Sequence, residues 1–279
     1  MRALLPTLVA ATALLLAGPA FAQGQSGADG ALLPDLEQEA PSGLVVSVAG
    51  RAGHARYFLG FRSAVRNVGP GPLVIRGRRS SRDTPGMTAT QVIRRADGTV
   101  EEAPEAGRLR YVVSPGHRHW HLLGFDRYTL RRADGGRTVR RDRKTGFCLG
   151  DRYRTAAPLA GPSPATPAFT SSCGLGRPGR LGVTEGISVG YGDDYAANLE
   201  GQYLRLSGLA DGRYALTHEV NADRRLRETR YDNNAASVEL ELRWRGGMPH
   251  VRVTGSAARV ARASARTFYC HLGTTRPAR

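Results

Sequence analysis

Three histidines, His117, His119 and His121, occupy alternate positions at the end of the run Val112-Val113-Ser114-Pro115-Gly116-His117-Arg118-His119-Trp120-His121. In a β-strand, side chains two positions apart share a face, and same-face neighbours lie roughly 6.5–7 Å apart. Imidazoles can close that gap around one ion. Three neutral nitrogens suit copper or zinc, and copper(II) binds such donors more tightly. Three protein ligands leave a position open for water or substrate, as in a catalytic rather than a structural centre. Arg118 and Trp120 fall on the opposite face. A histidine-rich loop that holds nothing is the bland alternative, but chance seldom sets three of seven histidines on alternate positions. His54, His218, His250 and His271 stand apart from one another and read as surface or core residues.

A second feature is a residue almost absent from the chain. Of 40 Lys and Arg residues only Lys144 is a lysine. Burial lowers the pKa of a lysine and frees a nucleophilic amine, whereas arginine stays protonated. A genome rich in Arg codons accounts for the scarcity of lysine but not for the place of the survivor.

These groups need strands to hold them, and strands are what the chain supplies. Leu44–Val48, Tyr57–Asn67 and Leu73–Arg76 are short and β-rich, the last following the Gly69-Pro70-Gly71-Pro72 turn. Gln91–Glu102 turns at Ala96-Asp97-Gly98, Asp126–Arg140 at Ala133 to Gly136, and Tyr203–Val220 at Ala210-Asp211-Gly212. Asp-Gly between alternating runs is a strong hairpin signal. Val238–Trp244 and His250–Val253 add two strands. Turn signals every ten or so residues, without long amphipathic helices, predict an all-β, sandwich-like domain of antiparallel hairpins with long loops and few or no helices.

Arg2, the apolar stretch Ala3–Ala17 and the small residues around Ala20-Phe21-Ala22 read as a secretory signal peptide over residues 1–22, cut after Ala22. The stretch is too short for a comfortable membrane span, and no Cys follows it to carry a lipid. Residues 23–41 read as a flexible leader, 42–273 as the folded domain and 274–279 as a disordered tail. A secreted or periplasmic location makes a disulfide the default for two of Cys148, Cys173 and Cys270. Cys148 with Cys173 is the expected pair, because both flank one Pro-, Ser- and Thr-rich stretch; Cys270 is left over. The net charge of +16, which loses only Arg2 on processing, favours anionic partners such as cell-wall polymers. The arginines are spread along the chain instead of gathered with aromatics, which argues against specific nucleic-acid binding.

Four short motifs, in one order over about residues 44 to 245, resemble the lysyl oxidase family. They are His117 to His121 with an aromatic before the last histidine; Lys144 ahead of Phe147-Cys148-Leu149; Gly190-Tyr191-Gly192-Asp193-Asp194; and Val220-Asn221 followed by Glu228 and Tyr231-Asp232-Asn233-Asn234. The resemblance implies a copper ion on His117, His119 and His121. It also implies lysine tyrosylquinone made from Lys144 and Tyr191, with Tyr195 the near neighbour that Tyr191 is easily confused with. A quinone is an electron sink, so a primary amine or peptidyl lysine, with molecular oxygen, would give an aldehyde, ammonia and hydrogen peroxide. The chain departs from the animal members where Leu122-Leu123-Gly124 replace acids before Phe125 and where Val238 replaces a cysteine. The candidates for the catalytic base are then Asp126, taken here as the base, and Asp194. A strongly basic protein repels lysine-rich partners at low salt, which favours small amines or proteins with anionic surfaces as substrates. Two readings from other classes remain: a non-catalytic extracellular copper-binding module for storage or delivery, and a sandwich adhesion domain. On export, amino-terminal sequencing should find the mature chain starting at Gln23 outside the cytoplasm, and an intact Met1 in soluble protein would contradict the signal peptide.

Overall fold

The computed structural model describes residues 30–51, 53–114, 117–134, 136–141, 146–199, 201–256 and 270–271, so the expected signal peptide over 1–22 and the expected tail over 274–279 lie outside the described residues. Among the described residues every regular element is a strand, and no helix is long and apolar enough to cross a membrane.

The strands form three sheets. The first runs in the order Gly182–Ile187, Leu73–Arg78, Gly86–Arg95, Val100–Ser114, His117–Leu122, with Ala31–Leu32 added to Gly86–Arg95. The second runs Thr138–Arg141, Asp126–Arg132, Gly212–Val220, Ala235–Arg245, Met248–Ser256. The third is built on the long strand Arg56–Asn67, which pairs with Ser42–Ala49, Tyr191–Tyr195, Leu36–Gln38 and Tyr203–Arg205. Pairing is antiparallel throughout except for the short parallel match of Cys270–His271 with Ser42–Ala49.

Alternation explains the faces. In Gly212–Val220 the residues Tyr214, Leu216, His218 and Val220 are buried while those between are more exposed, and Ala235–Arg245 buries Ala236, Val238, Leu240 and Leu242 in the same rhythm. These faces meet the third sheet. Phe61 packs edge-on against Tyr128 at 5.0 Å, and Tyr57 against Trp244 at 5.6 Å, so the second and third sheets form the expected sandwich.

The hairpin at Ala96-Asp97-Gly98 forms as read: Gly98 takes φ +85°, and the Asp97 carboxylate accepts from Thr99 N and Oγ1 at 2.9 and 2.6 Å. Asp126–Arg132 and Thr138–Arg141 also pair as a hairpin. The third expected hairpin does not form. Tyr203–Arg205 pairs with Arg56–Asn67, while Gly212–Val220 lies between Asp126–Arg132 and Ala235–Arg245. The Asp211-Gly212 signal marked a turn correctly, but here the turn carries the chain from one sheet to another. The flexible leader also needs correcting from residue 30 onward. Ala31 and Leu36 are fully buried, and both short strands around them pair with the core.

What fixes that segment is a buried polar node. The Glu228 carboxylate accepts from Leu36 N at 2.8 Å, Asn221 Nδ2 at 2.6 Å and Asn234 Nδ2 at 2.8 Å. Three members of the fourth sequence motif, Asn221, Glu228 and Asn234, therefore meet in one place, as structural cement. Burial raises the Glu228 carboxyl to about 7 despite these donors. A raised carboxyl pKa means that the folded state holds its proton more tightly. Its contribution to stability is thus largest on the acid side and declines as pH rises from about 4.5 through about 7. Glu228→Ala, which strands three buried donors, should cost about 3 kcal/mol in denaturant unfolding. The gap from wild type should narrow between pH 5 and pH 8; a gap that widens with pH would contradict this assignment.

Candidate copper and quinone site

The strand His117–Leu122 ends the first sheet, with His117 opposite Ser114, His119 opposite Val112 and His121 opposite Arg110. His119 and His121 keep the alternation expected from sequence. The His119 and His121 rings share a face, 4.6 Å apart between centroids and tilted by 47°. His121 is buried and His119 partly so. His117 stands two positions earlier in the same strand. Trp120 faces the other way into the core, edge-on to Tyr111 at 5.6 Å with the Arg79 guanidinium 4.8 Å from its ring.

The outer edge of this strand is closed by irregular backbone. Trp120 N donates to Cys173 O at 2.9 Å, and Gly176 N to Arg118 O at 2.7 Å. Leu122 and Phe147 exchange two bonds, at 2.8 and 3.0 Å. The two covering segments are tied by the disulfide Cys148–Cys173, the pairing expected from sequence. Gly146 sits at φ +94°, where a Cβ would lie 2.4 Å from Leu122 O and 3.1 Å from His121 Cβ. Only glycine fits there. Lys144 lies outside the described residues, two positions before Gly146 and three before Phe147.

A buried carboxyl, Glu185, lies within 4.8 Å of both disulfide sulfurs. Both sulfurs are oxidised, so no thiolate remains there to bind a metal. Burial holds the Glu185 carboxyl well above the usual range, with Asp193 adding to the effect.

The two tyrosines of the third motif open and close the strand Tyr191–Tyr195 and have different surroundings. Tyr191 is buried opposite Arg154. Its hydroxyl accepts from Arg154 Nη1 at 3.1 Å and donates toward Pro164 O or Ala165 O at 3.3 and 3.4 Å. The Arg154 guanidinium stands 5.3 Å from the ring centroid. Tyr195 packs edge-on against Phe147 at 4.8 Å, its hydroxyl 3.1 Å from Cys148 O and 2.9 Å from Asp193 Oδ2. Asp193 is buried, which raises its carboxyl to about 7 even though Tyr195 donates to it and Arg152 lies 3.6 Å away. Asp151, two residues beyond Leu149, accepts from Ala168 N, Phe169 N, Ser188 N and Ser188 Oγ, folding the long loop onto the turn before Gly190.

Asp126 is withdrawn from solvent and joined to His218 Nε2. Gln38 Nε2 donates to His218 Nδ1 at 2.5 Å, which leaves the ring proton on Nε2, aimed at Asp126. Asp126, Gly146 and Arg141 line one cavity of about 220 Å³. The candidate base therefore borders the two residues that flank the Lys144 segment. His218, read from sequence as an isolated core histidine, is its partner. Only three-dimensional pairing reveals this, since His218 and Asp126 are 92 positions apart. Asp194 instead faces outward in an ion pair with Arg62 at 3.0 Å.

Comparison with known proteins gives these features a family. The lysyl oxidase family model matches residues 88–251, a span that contains the histidine strand, Lys144, both disulfide cysteines and the Glu228 node. Protein-lysine 6-oxidase of Rattus norvegicus is 29% identical over 153 residues, covering 53% of this chain and 32% of that protein. The Sus scrofa protein of the same name is 28% identical over 153 residues, 53% of each chain, and lysyl oxidase homolog 1 of Homo sapiens is 26% identical over 147 residues, 51% of this chain and 22% of that one. The chain thus spans from about a fifth to about half the length of these relatives. With more than half of its residues matched by the family model, and with the histidine strand and its disulfide-tied cover in place, this chain belongs to the lysyl oxidase family.

Proposed function

We propose that this chain is an exported, copper-dependent amine oxidase that converts primary amines to aldehydes. Copper would sit on His117, His119 and His121, and a quinone would form from Lys144 and Tyr191. The observation that carries the reading is the pairing of His119 and His121 on one strand face, 4.6 Å apart, with Gly146 pressed against His121. That contact brings the segment holding the chain's one lysine to the metal-binding strand. Neutral imidazoles on a rigid strand suit copper(II), and the covered outer edge limits how far the strand can shift. Copper would supply the contact with oxygen, and the quinone would supply the electron sink for the amine substrate.

The other roles belong to residues of the chain itself. Asp126 would take the proton from the substrate carbon, held in place by the Nε2–H of His218. Gln38 fixes that tautomer by donating to Nδ1. The cavity shared by Asp126 and Gly146 would admit a small amine, while the excess of arginine over the chain would disfavour a cationic polymer and favour an anionic surface.

Two variants test the reading. Purified wild type should bind about one copper per chain, with a tetragonal, nitrogen-rich paramagnetic signal. His119→Ala should lose tight binding; unchanged copper stoichiometry would place the metal elsewhere. Lys144→Arg keeps the charge but has no free amine, because a guanidinium stays protonated below a pH of about 12. It should keep its copper and lose quinone staining, visible absorbance and amine oxidation together. Amine oxidation at the wild-type rate in that variant would refute the quinone and leave the copper-binding module as the better description.

A further inference from the structure

We propose that an arginine-lined groove beside the edge strand Gly182–Ile187 binds a linear phosphodiester polymer with a sugar or polyol backbone. The assignment goes beyond the copper and quinone reading and does not depend on it. The groove, of about 800 Å³, runs between the end of Leu73–Arg78, the start of Gly182–Ile187 and the loop before it. Its lining carries four arginines, Arg76, Arg78, Arg177 and Arg180, and no carboxylate. Four serine and threonine residues, Thr184 among them, add hydroxyls.

These cations are left uncompensated. Arg76 and Arg78 share one face of their strand, where neighbours lie roughly 6.5–7 Å apart, and Thr184 stands opposite Arg76 in the register. Arg76 is ion-paired with Glu102. Arg78, Arg177 and Arg180 are exposed and pair with no carboxylate among the described residues. Elsewhere arginines face acids, as Arg66 faces Glu37, Arg95 faces Glu101 and Arg230 faces Asp35. Like charges gathered around one hollow repel each other, and an anion among them relieves that repulsion. The planar guanidinium fork suits phosphate oxygens, which it can bind two at a time.

The wall of the groove is built before any ligand arrives. The Arg79 guanidinium donates to Arg180 O at 2.8 Å, Pro178 O at 2.6 Å and Thr84 O at 2.6 Å, and lies 4.8 Å from the Trp120 ring. Trp120 Nε1 donates to Arg177 O at 3.3 Å, and Cys173 is bridged to Cys148. The backbone that carries Arg177 and Arg180 is therefore fixed, which lowers the ordering cost of binding. A Cβ at Gly174 would lie 3.2 Å from Trp120 Cδ1. The loop thus sits on the Trp120 side of the histidine strand, turned away from His119 and His121.

The lining also selects the chemical class. It holds no aromatic ring, so bases have nothing to stack on. Its large apolar residues are Leu175 and Val183, too few to receive the alternate side chains of an extended acidic peptide. Guanidinium groups and hydroxyls in one hollow instead match a chain that alternates phosphates with hydroxyl-bearing units.

Fluorescence anisotropy of a labelled synthetic poly(glycerol phosphate) chain, titrated with the intact protein, tests the assignment. Wild type should bind, and the triple variant Arg78→Gln, Arg177→Gln, Arg180→Gln should bind at least about tenfold more weakly. The slope of log affinity against log salt should flatten by about 2, because each phosphate contact on a single strand contributes about 0.7. Arg131, Arg205 and Arg245 are exposed and lie outside the groove, so changing all three to Gln removes the same charge. That control should lose less than about twofold. Equal losses in the two variants would reduce the effect to net charge and overturn the site. Polyglutamate or single-stranded DNA of equal charge that binds as tightly as the polyol phosphate would overturn the chemical class. Hydrogen exchange on wild type gives a reading that no variant can confound: the polymer should protect amides within residues 170–184. Protection confined to other segments would place the polymer elsewhere and contradict the proposal.

Discussion

The site depends on how the outer edge of one strand is closed. His117–Leu122 ends its sheet, and an open edge leaves donors and acceptors unpaired and the strand free to slip. A slip of one residue would turn the histidines to the core and Trp120 to the site. Phe147 on one part of that edge and Cys173 with Gly176 on another satisfy the backbone. The Cys148–Cys173 bridge makes the two covers one unit across 25 positions, contributing about 3 kcal/mol on a chain-entropy view. Trp120 locks the same register from behind, because its large ring fits only the buried face.

From that edge the other parts of the site follow by contact. Phe147 carries Tyr195 on its ring, and Tyr195 reaches Asp193. Tyr128 packs on His218 at 4.5 Å and on Phe147 at 6.3 Å, linking the Asp126–His218 pair to the same aromatic cluster. The buried carboxyls Glu185, Asp193 and Glu228 are all raised, chiefly by desolvation. Glu228 is spent on structure, tying Leu36 to Asn221 and Asn234.

Much of this was legible in the sequence, because strand alternation is local. The histidine face, the Asp97-Gly98 hairpin and the sandwich follow from period-two patterns, and the disulfide from which cysteines flank a loop. Long-range pairing was not legible. The Asp211-Gly212 turn looks like a hairpin turn by itself, yet its flanking strands join different sheets. Residues 31–38 lack a periodic pattern, and their burial comes from partners near 65, 95 and 228. His218 appears isolated until Asp126 is brought against it.

The account's central claim is that a strand of alternating histidines and the chain's one lysine together make an amine-oxidising site. Amine-dependent release of hydrogen peroxide, measured on the same protein before and after copper loading in air, tests it most directly. The account predicts peroxide and aldehyde in equal amounts from a small primary amine, only after copper loading and maturation. Copper-loaded, fully folded protein that binds the metal at its histidines and yields no peroxide with any primary amine would contradict it.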